Sequence, residues 1–235
     1  MLAFQYHPDI ITRYPNIVGG VVLARGMKNG ASSESLSATY ISEQQVSLTR
    51  IGDTPLSELE TLAAWRSAFR DFGVNPTKYR SAAEALLRRL TKKGDIPSIN
   101  AVVDICNLVS IRYGLPVAAF DALHLTGAIT VQFADGTENF KPLFAKEFEH
   151  PEAGEVIFAD DAGLVVARRW CWRQSDESAT RPETTDAVFT VEAQHPNGQN
   201  QIEAALADLL ALLQLHIGGE FQTGIVKAGN PIISG

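Results

Sequence analysis

The side chains best suited to chemistry are polar groups set in apolar surroundings. Asn100, Asp104 and Asn107 recur at i, i+4 and i+7 in the segment IPSINAVVDICNLVSIRYGLPVAAFDALHL (96–125), so on a helix they share a face. Polar groups in so apolar a stretch need partners, either protein groups or a ligand. Asn107 alone reads as a hydrogen-bonded core amide. Cys106 beside it invites a nucleophile, yet a Cys on an apolar helical stripe is usually inert filler, and no His is paired with it in sequence. Glu192 follows Val188, Phe189 and Val191 and on its own reads as an exposed strand end. Trp170 and Trp172 would alternate with Arg168 on one strand face, packed in a core or offered as a platform for a ring. His124, His195 and His216 are scattered, and no Cys/His/Asp spacing suits a metal, so no metal is expected.

Cations cluster elsewhere. Arg66, Arg70, Lys78, Arg80, Arg88, Arg89, Lys92 and Lys93 fall in one segment whose only acids are Asp71 and Glu84. They form either a phosphate-contacting patch or a solvated helix face whose C-terminal charges complement the helix dipole.

These groups must be held by recognisable elements. A central helix is predicted from a Ser98 cap, with Ile99, Val102, Val103, Cys106, Val109 and Tyr113 as its buried stripe; Gly114-Leu-Pro ends it. Before it, 16–25 reads as a first strand, with Gly19 and Gly20 marking a bulge or a close backbone approach. Residues 28–37 read as a mobile loop. Helices follow from Pro55 to the break at Gly73-Val-Asn-Pro76, and over 79–90 with Gly94 closing the second. After the central helix, strands are predicted over 129–133, 155–159, 164–172 and 187–192, with turns at Asp135-Gly136, 160–163 and 195–198. An amphipathic helix opens at Asn200 and stops at Gly218-Gly219; the tail reads as coil or one edge strand.

Composition limits the function classes. With 235 residues, 45% of them hydrophobic and 20% charged, the chain can bury a sizeable core. A net charge of −7 argues against a generally basic nucleic-acid-coating surface, so any such contact is a local patch. Cys106 and Cys171 suit a reducing compartment. The opening MLAFQYHPDIITRYP lacks a basic stretch followed by a long apolar run, and no stretch is long enough to span a bilayer, so a cytoplasmic protein is expected.

VDICN, the Tyr-Gly-Leu-Pro break and the following AFD together resemble the VDxTN…GxPxHAFD segment of the B3/B4 editing module of bacterial phenylalanyl-tRNA synthetase beta subunits. GAITVQFADGTENFKPL, GEVIFADDAGLVVA and ETTDAVFTVEA resemble the strands that follow in that module, so the likeness runs over roughly 97–193. The resemblance implies an α+β fold with mixed or antiparallel sheets packed against helices, in a PheT/TilS-like B3/B4 architecture. It implies one domain over 1–235: a helical front near 55–115, a strand-rich part near 116–195 and a C-terminal helix near 200–217. The implied activity is a trans-editing aminoacyl-tRNA deacylase that needs no metal and no cofactor. The alternative is a non-catalytic module binding aminoacyl-tRNA or an amino acid.

Carried over by residue, the resemblance makes Glu192 and Asn107 the catalytic candidates, Glu192 holding an amine or orienting a water. Cys106 stands at the Thr position and Ala118 at the His position; the strand at Trp170 and Trp172 falls near a Gly-Gly region, and these four would contact substrate. Loss of the His removes the side chain best suited to proton transfer at neutral pH. The partner implied is the aminoacylated acceptor end of tRNA, with Arg80, Arg88, Arg89, Lys92 and Lys93 as RNA contacts. Cys106, Asn107, Ala118 and Glu192 should then converge on one cavity; Glu192 on the opposite face of its sheet from Asn107 would overturn the carry-over and remove the main support of the deacylase reading.

Overall fold

The structure, a computed structural model, describes residues 2–235; Met1, part of the expected 1–235 domain, lies outside the described residues. In chain order the elements are β1 (Ala3–Tyr6), α1 (Pro8–Arg13), β2 (Val18–Arg25), α2 (Glu34–Ile51), a 3-10 turn (Leu56–Glu58), α3 (Glu60–Asp71), α4 (Ala82–Lys93) and α5 (Ala101–Tyr113). They continue with β3 (Val117–Asp121), β4 (Ala128–Phe133), β5 (Val156–Ala159), β6 (Val165–Arg168), β7 (Arg173–Gln174), β8 (Ala187–Ala193), α6 (Gly198–His216), β9 (Glu220–Lys227) and β10 (Ile232–Ser234). The fold is α+β. One sheet is mixed, in the order β10-β1-β4-β5-β6-β7 with β1 and β4 parallel; the other is antiparallel, β3-β8-β2-β9.

Strand periodicity divides the interior. Side chains alternate across a strand, so a strand buried on both faces supplies two cores. On β8, Ala187, Phe189, Val191 and Ala193 join the core formed with α2, α4, α5 and α6, while Val188 joins the core between the sheets. On β2, Val22 and Ala24 point to the helices, and Val21 and Leu23 point between the sheets. Glu192 and Thr190 share the phase of Val188.

The glycines on β2 mark close approaches on both faces. A side-chain carbon on Gly20 would lie 2.9 Å from Val191 and 3.0 Å from Ile202 of α6; one on Gly19 would lie 2.5 Å from the Tyr6 hydroxyl.

Several expectations shift. The cap of α5 is Asn100, whose side chain accepts from Val103 N. Ser98 instead donates to Asp104, which also accepts from Ser32 and from the Ile99 amide, so protein groups satisfy this buried carboxylate. Ile99, expected in the stripe, is 68% exposed, because it precedes the first turn. The loop expected over 28–37 ends early: Ser33 caps α2, an 18-residue helix. Its pattern is masked by Glu43, Gln44 and Ser47 at buried positions, where they bond Arg112, the Ile96 backbone and the Ile111 carbonyl. The second helix begins at Ala82, capped by Ser81, which leaves Tyr79 in the preceding turn. The tail forms two edge strands, β9 and β10.

The largest correction falls at 164–172. β6 stops at Arg168, and Arg169 and Trp170 adopt left-handed backbone at φ 45° and 60°. Bulky residues rarely adopt this conformation, which costs on the order of 1–3 kcal/mol at each position. The Glu155 carboxylate holds the turn by accepting from Arg168 Nε at 2.8 Å, Arg168 Nη2 at 2.9 Å and the Arg169 amide at 3.0 Å. Trp170 and Trp172 therefore do not share a strand face. Trp170 turns into the inter-sheet core, and Trp172 stays half-buried at the surface.

Candidate functional site

Glu192 is 2% exposed and sits near the end of β8, opposite Gly19 of β2. Because Gly19 has no side chain, Tyr6 of β1 reaches over β2, and its hydroxyl donates to Glu192 Oε1 at 2.7 Å. Trp170 Nε1 donates to the same oxygen at 3.2 Å. The left-handed turn serves this bond by aiming the indole inward, where Tyr14 and Trp65 pack edge-on against it at 4.9 and 5.2 Å. Burial pushes the Glu192 carboxyl up to about 7, against the two hydrogen bonds, which favour the ionised form. A carboxyl balanced between protonation states at neutral pH suits proton transfer. Burial, then the Glu192 charge, hold the Tyr6 hydroxyl protonated.

A cavity of about 140 Å³ adjoins this carboxylate. Cavities of this order accept one benzene-sized group. Its walls include Cys106 and Asn107 from α5, Ala118 from β3, Thr190 and Glu192 from β8, and Trp170 and Trp172 from the turn. All six candidates expected at the catalytic and substrate positions thus line one cavity. The shared side of the sheet fails, which counts against the residue-by-residue carry-over and against the support it lent the deacylase reading. Glu192 points between the sheets, whereas Asn107 and Cys106 belong to α5 in the helical layer. The cavity joins them around β3, which is an edge strand. Asn107 and Glu192 therefore approach a bound group from different walls. Burial pushes the Cys106 thiol up, so it stays protonated and offers no thiolate. Among the described residues no histidine lines the cavity, and Ala118 stands on β3 paired with Thr190.

Sequence reasoning missed Tyr6, Thr190 and the hydrogen bond that the Trp170 indole donates to Glu192. Tyr6 sits on a strand of four residues, 186 positions from Glu192; the signal that could have found it is Gly19, which marks a close approach without naming what approaches. Thr190 lies two residues before Glu192 and so on its face.

The five expected RNA contacts do not line this cavity. Arg80, Arg88 and Lys92 line a separate groove with the 51–57 loop. Arg80 leans to Glu84 at 3.8 Å, and Arg89 donates to the Asp95 carbonyl at 3.1 Å. Lys92 and Lys93 are exposed in the last turn of α4. Among the described residues, no helix is long and apolar enough to cross a membrane.

Phenylalanine–tRNA ligase beta subunits are among the similar proteins. That of Synechococcus sp. is 33% identical over 140 residues, 52% of this chain and 16% of that protein; that of Novosphingobium aromaticivorans is 30% identical over 155 residues, 57% of this chain and 19% of that protein. The chain thus spans less than a fifth of the length of these ligases. An N-terminal fragment of the phenylalanyl-tRNA synthetase beta subunit from Pyrococcus horikoshii overlays with a TM-score of 0.48 and 14% identity, covering 94% of this chain and 50% of that one. A family model described as the B3/4 domain matches residues 64–211, the span that carries α4, α5, the cavity and Glu192. The chain belongs to the B3/4 domain family.

Proposed function

We propose that the protein is a trans-editing deacylase, which hydrolyses the ester joining a wrong amino acid to the 3′ end of tRNA in the cytoplasm, within one B3/4-type domain. The observation that carries this reading is the buried Glu192 carboxyl, near 7, beside a cavity sized for one side chain. As a carboxylate it takes a proton from a water, whose oxygen attacks the ester carbonyl; the ribose oxygen leaves with a proton, and free amino acid and tRNA result. An aminoacyl ester is already activated, so positioning of that water supplies much of what is needed. Asn107 offers a hydrogen bond from another wall of the cavity, and Thr190 offers one from the same face of β8 as Glu192. A site that binds through polar groups discriminates strongly against an apolar side chain. The small volume favours a polar amino acid smaller than tyrosine.

One observation favours a second reading, a non-catalytic module binding aminoacyl-tRNA or an amino acid: Ala118 occupies the position where the resembled motif has histidine. Amino-acid release from a panel of mischarged tRNAs separates the two. The deacylase reading expects release from at least one, reduced about 100-fold or more in Glu192→Gln. Binding of charged tRNA without release from any member assigns the module instead.

A further inference from the structure

A second concavity lies apart from Glu192. The end of α1 with the loop after it (13–16), the α3 helix and the turn after β8 (194–196) enclose a cleft of about 430 Å³, which shares no lining residue with the Glu192 cavity. Small-molecule sites have volumes of about 300–1,000 Å³. Gly198 lets the turn close tightly: its amide donates to the His195 carbonyl at 3.0 Å, and a side-chain carbon there would lie 2.8 Å from Ala193. Three side chains in the wall of the cleft carry a buried polar atom with no hydrogen-bond partner among the described residues: the Tyr14 hydroxyl, Gln194 Nε2 and His195 Nδ1. Tyr14 is 7% exposed, Gln194 9% and His195 4%. Buried polar groups are nearly always paired, so three orphans in one wall point to a partner from outside the chain.

The chemistry of these groups describes the partner. The amide nitrogen of Gln194 donates and does not accept, and His195 Nδ1 donates when it carries the ring proton. Burial, and then Asp71, hold the Tyr14 hydroxyl protonated. Asp71 is the one acid among the lining residues, and Arg13 donates to both its oxygens, from Nε and Nη2, at 2.8 Å each. What is left over is donors, so the partner supplies acceptors. The turn leads straight into α6, a 19-residue helix with no acidic residue in its first turn and no side-chain cap. Such an N-terminus favours negative charge. Neutral donors beside a helix end, with the local cation already paired, suit one negative charge shared by two oxygens better than a phosphate dianion. A carboxylate has that form.

We propose that this cleft is a second ligand site and binds a small carboxylate, whose oxygens accept from the Tyr14 hydroxyl, the Gln194 amide and the His195 ring. The inference does not rest on the deacylase reading. Acetate and succinate are titrated into the full chain, with acetamide and inorganic phosphate as controls. NMR follows the Gln194 side-chain amide and the indole N–H of Trp170, whose ring packs edge-on against Tyr14 at 4.9 Å. At least one of the two acids should shift the Gln194 amide with a Kd below about 10 mM. Acetamide, which lacks the charge, and phosphate should each bind about tenfold or more weakly than that acid. Tyr14→Phe and Gln194→Met, read through the indole, should each weaken carboxylate binding about fivefold or more. Gln194→Met removes an amide that has no partner in the protein, so it should not lower the melting temperature in the absence of carboxylate. No shift with either acid overturns the site and leaves ordered water as the partner of these groups. Acetamide or phosphate binding as tightly as the acid overturns it as well, as does carboxylate binding that survives both variants. A lower melting temperature in Gln194→Met makes that residue structural and overturns its part in binding.

Discussion

The surroundings of Glu192 and the exposed face of α4 show two ways a chain can present charge. At Glu192 one carboxylate draws on distant parts of the sequence: Tyr6 from the first strand, Gly19 from the second and Trp170 from a left-handed turn. Each partner is buried, so its removal leaves another group unsatisfied. On α4, Arg88, Lys92 and Lys93 come from one helix and stand in water. Their spacing is set by the helix alone, and losing one disturbs nothing else. Charge that is costly to bury signals a site; charge that costs nothing to expose needs a partner before it signals anything.

The contrast breaks most visibly at Glu192 itself. Its folded pKa of about 7 lies above the ordinary value of 4.5, so between those pH values the folded protein binds the proton that the unfolded chain releases. This contribution is fully present below about 4.5 and is lost as pH rises through about 7, at a cost on the order of 3 kcal/mol once the carboxylate is ionised. Glu192→Gln keeps the oxygen that accepts from Tyr6 and Trp170 and removes the charge. The variant should therefore be more stable than wild type at pH 8 by up to about 3 kcal/mol, with the gap closing towards pH 5. Urea unfolding across that range checks it; a gap independent of pH would mean that Glu192 titrates as an ordinary carboxyl.

The next effect tests the reach across β2. Gly19→Ala places a carbon 2.5 Å from the Tyr6 hydroxyl, and should cost about 1–3 kcal/mol by thermal unfolding. Tyr6→Phe removes one of the two hydrogen bonds that oppose burial, so the Glu192 pKa should rise above about 7 and the alkaline limb of the variant's stability profile should shift upward. If Gly19→Ala is neutral, Tyr6 does not need the space that glycine leaves.

The smallest effects belong to α4. Neutralising Arg88, Arg89, Lys92 and Lys93 should change stability by less than about 0.5 kcal/mol per site. If this face contacts RNA, the same change should weaken tRNA binding and flatten its salt dependence. An unchanged slope would make α4 a solvated face.

Local signals determined much of what the sequence disclosed. The break at Gly114-Leu-Pro, the helical stripe through Val102, Cys106 and Val109, the strand at 187–192 and the amphipathic α6 all follow from periodicity and chain-breaking residues, which act over a few positions. The motif likeness drew Cys106, Asn107, Ala118 and Glu192 to one cavity, a grouping that periodicity alone does not contain. Gly19 and Gly20 announced a close approach. Tertiary structure decided the rest, because the partners are remote or break the local pattern. Buried polar residues hid α2, since Glu43, Gln44 and Ser47 find their partners on other elements. The turn at Arg169–Trp170 reads as strand from its neighbours and is left-handed because Glu155 holds it and a core receives the indole. The side of the sheet from which Glu192 projects, the identity of Tyr6 as its partner and the balance of its proton near neutrality all depend on what stands within a few ångströms in space, which spacing along the chain does not encode.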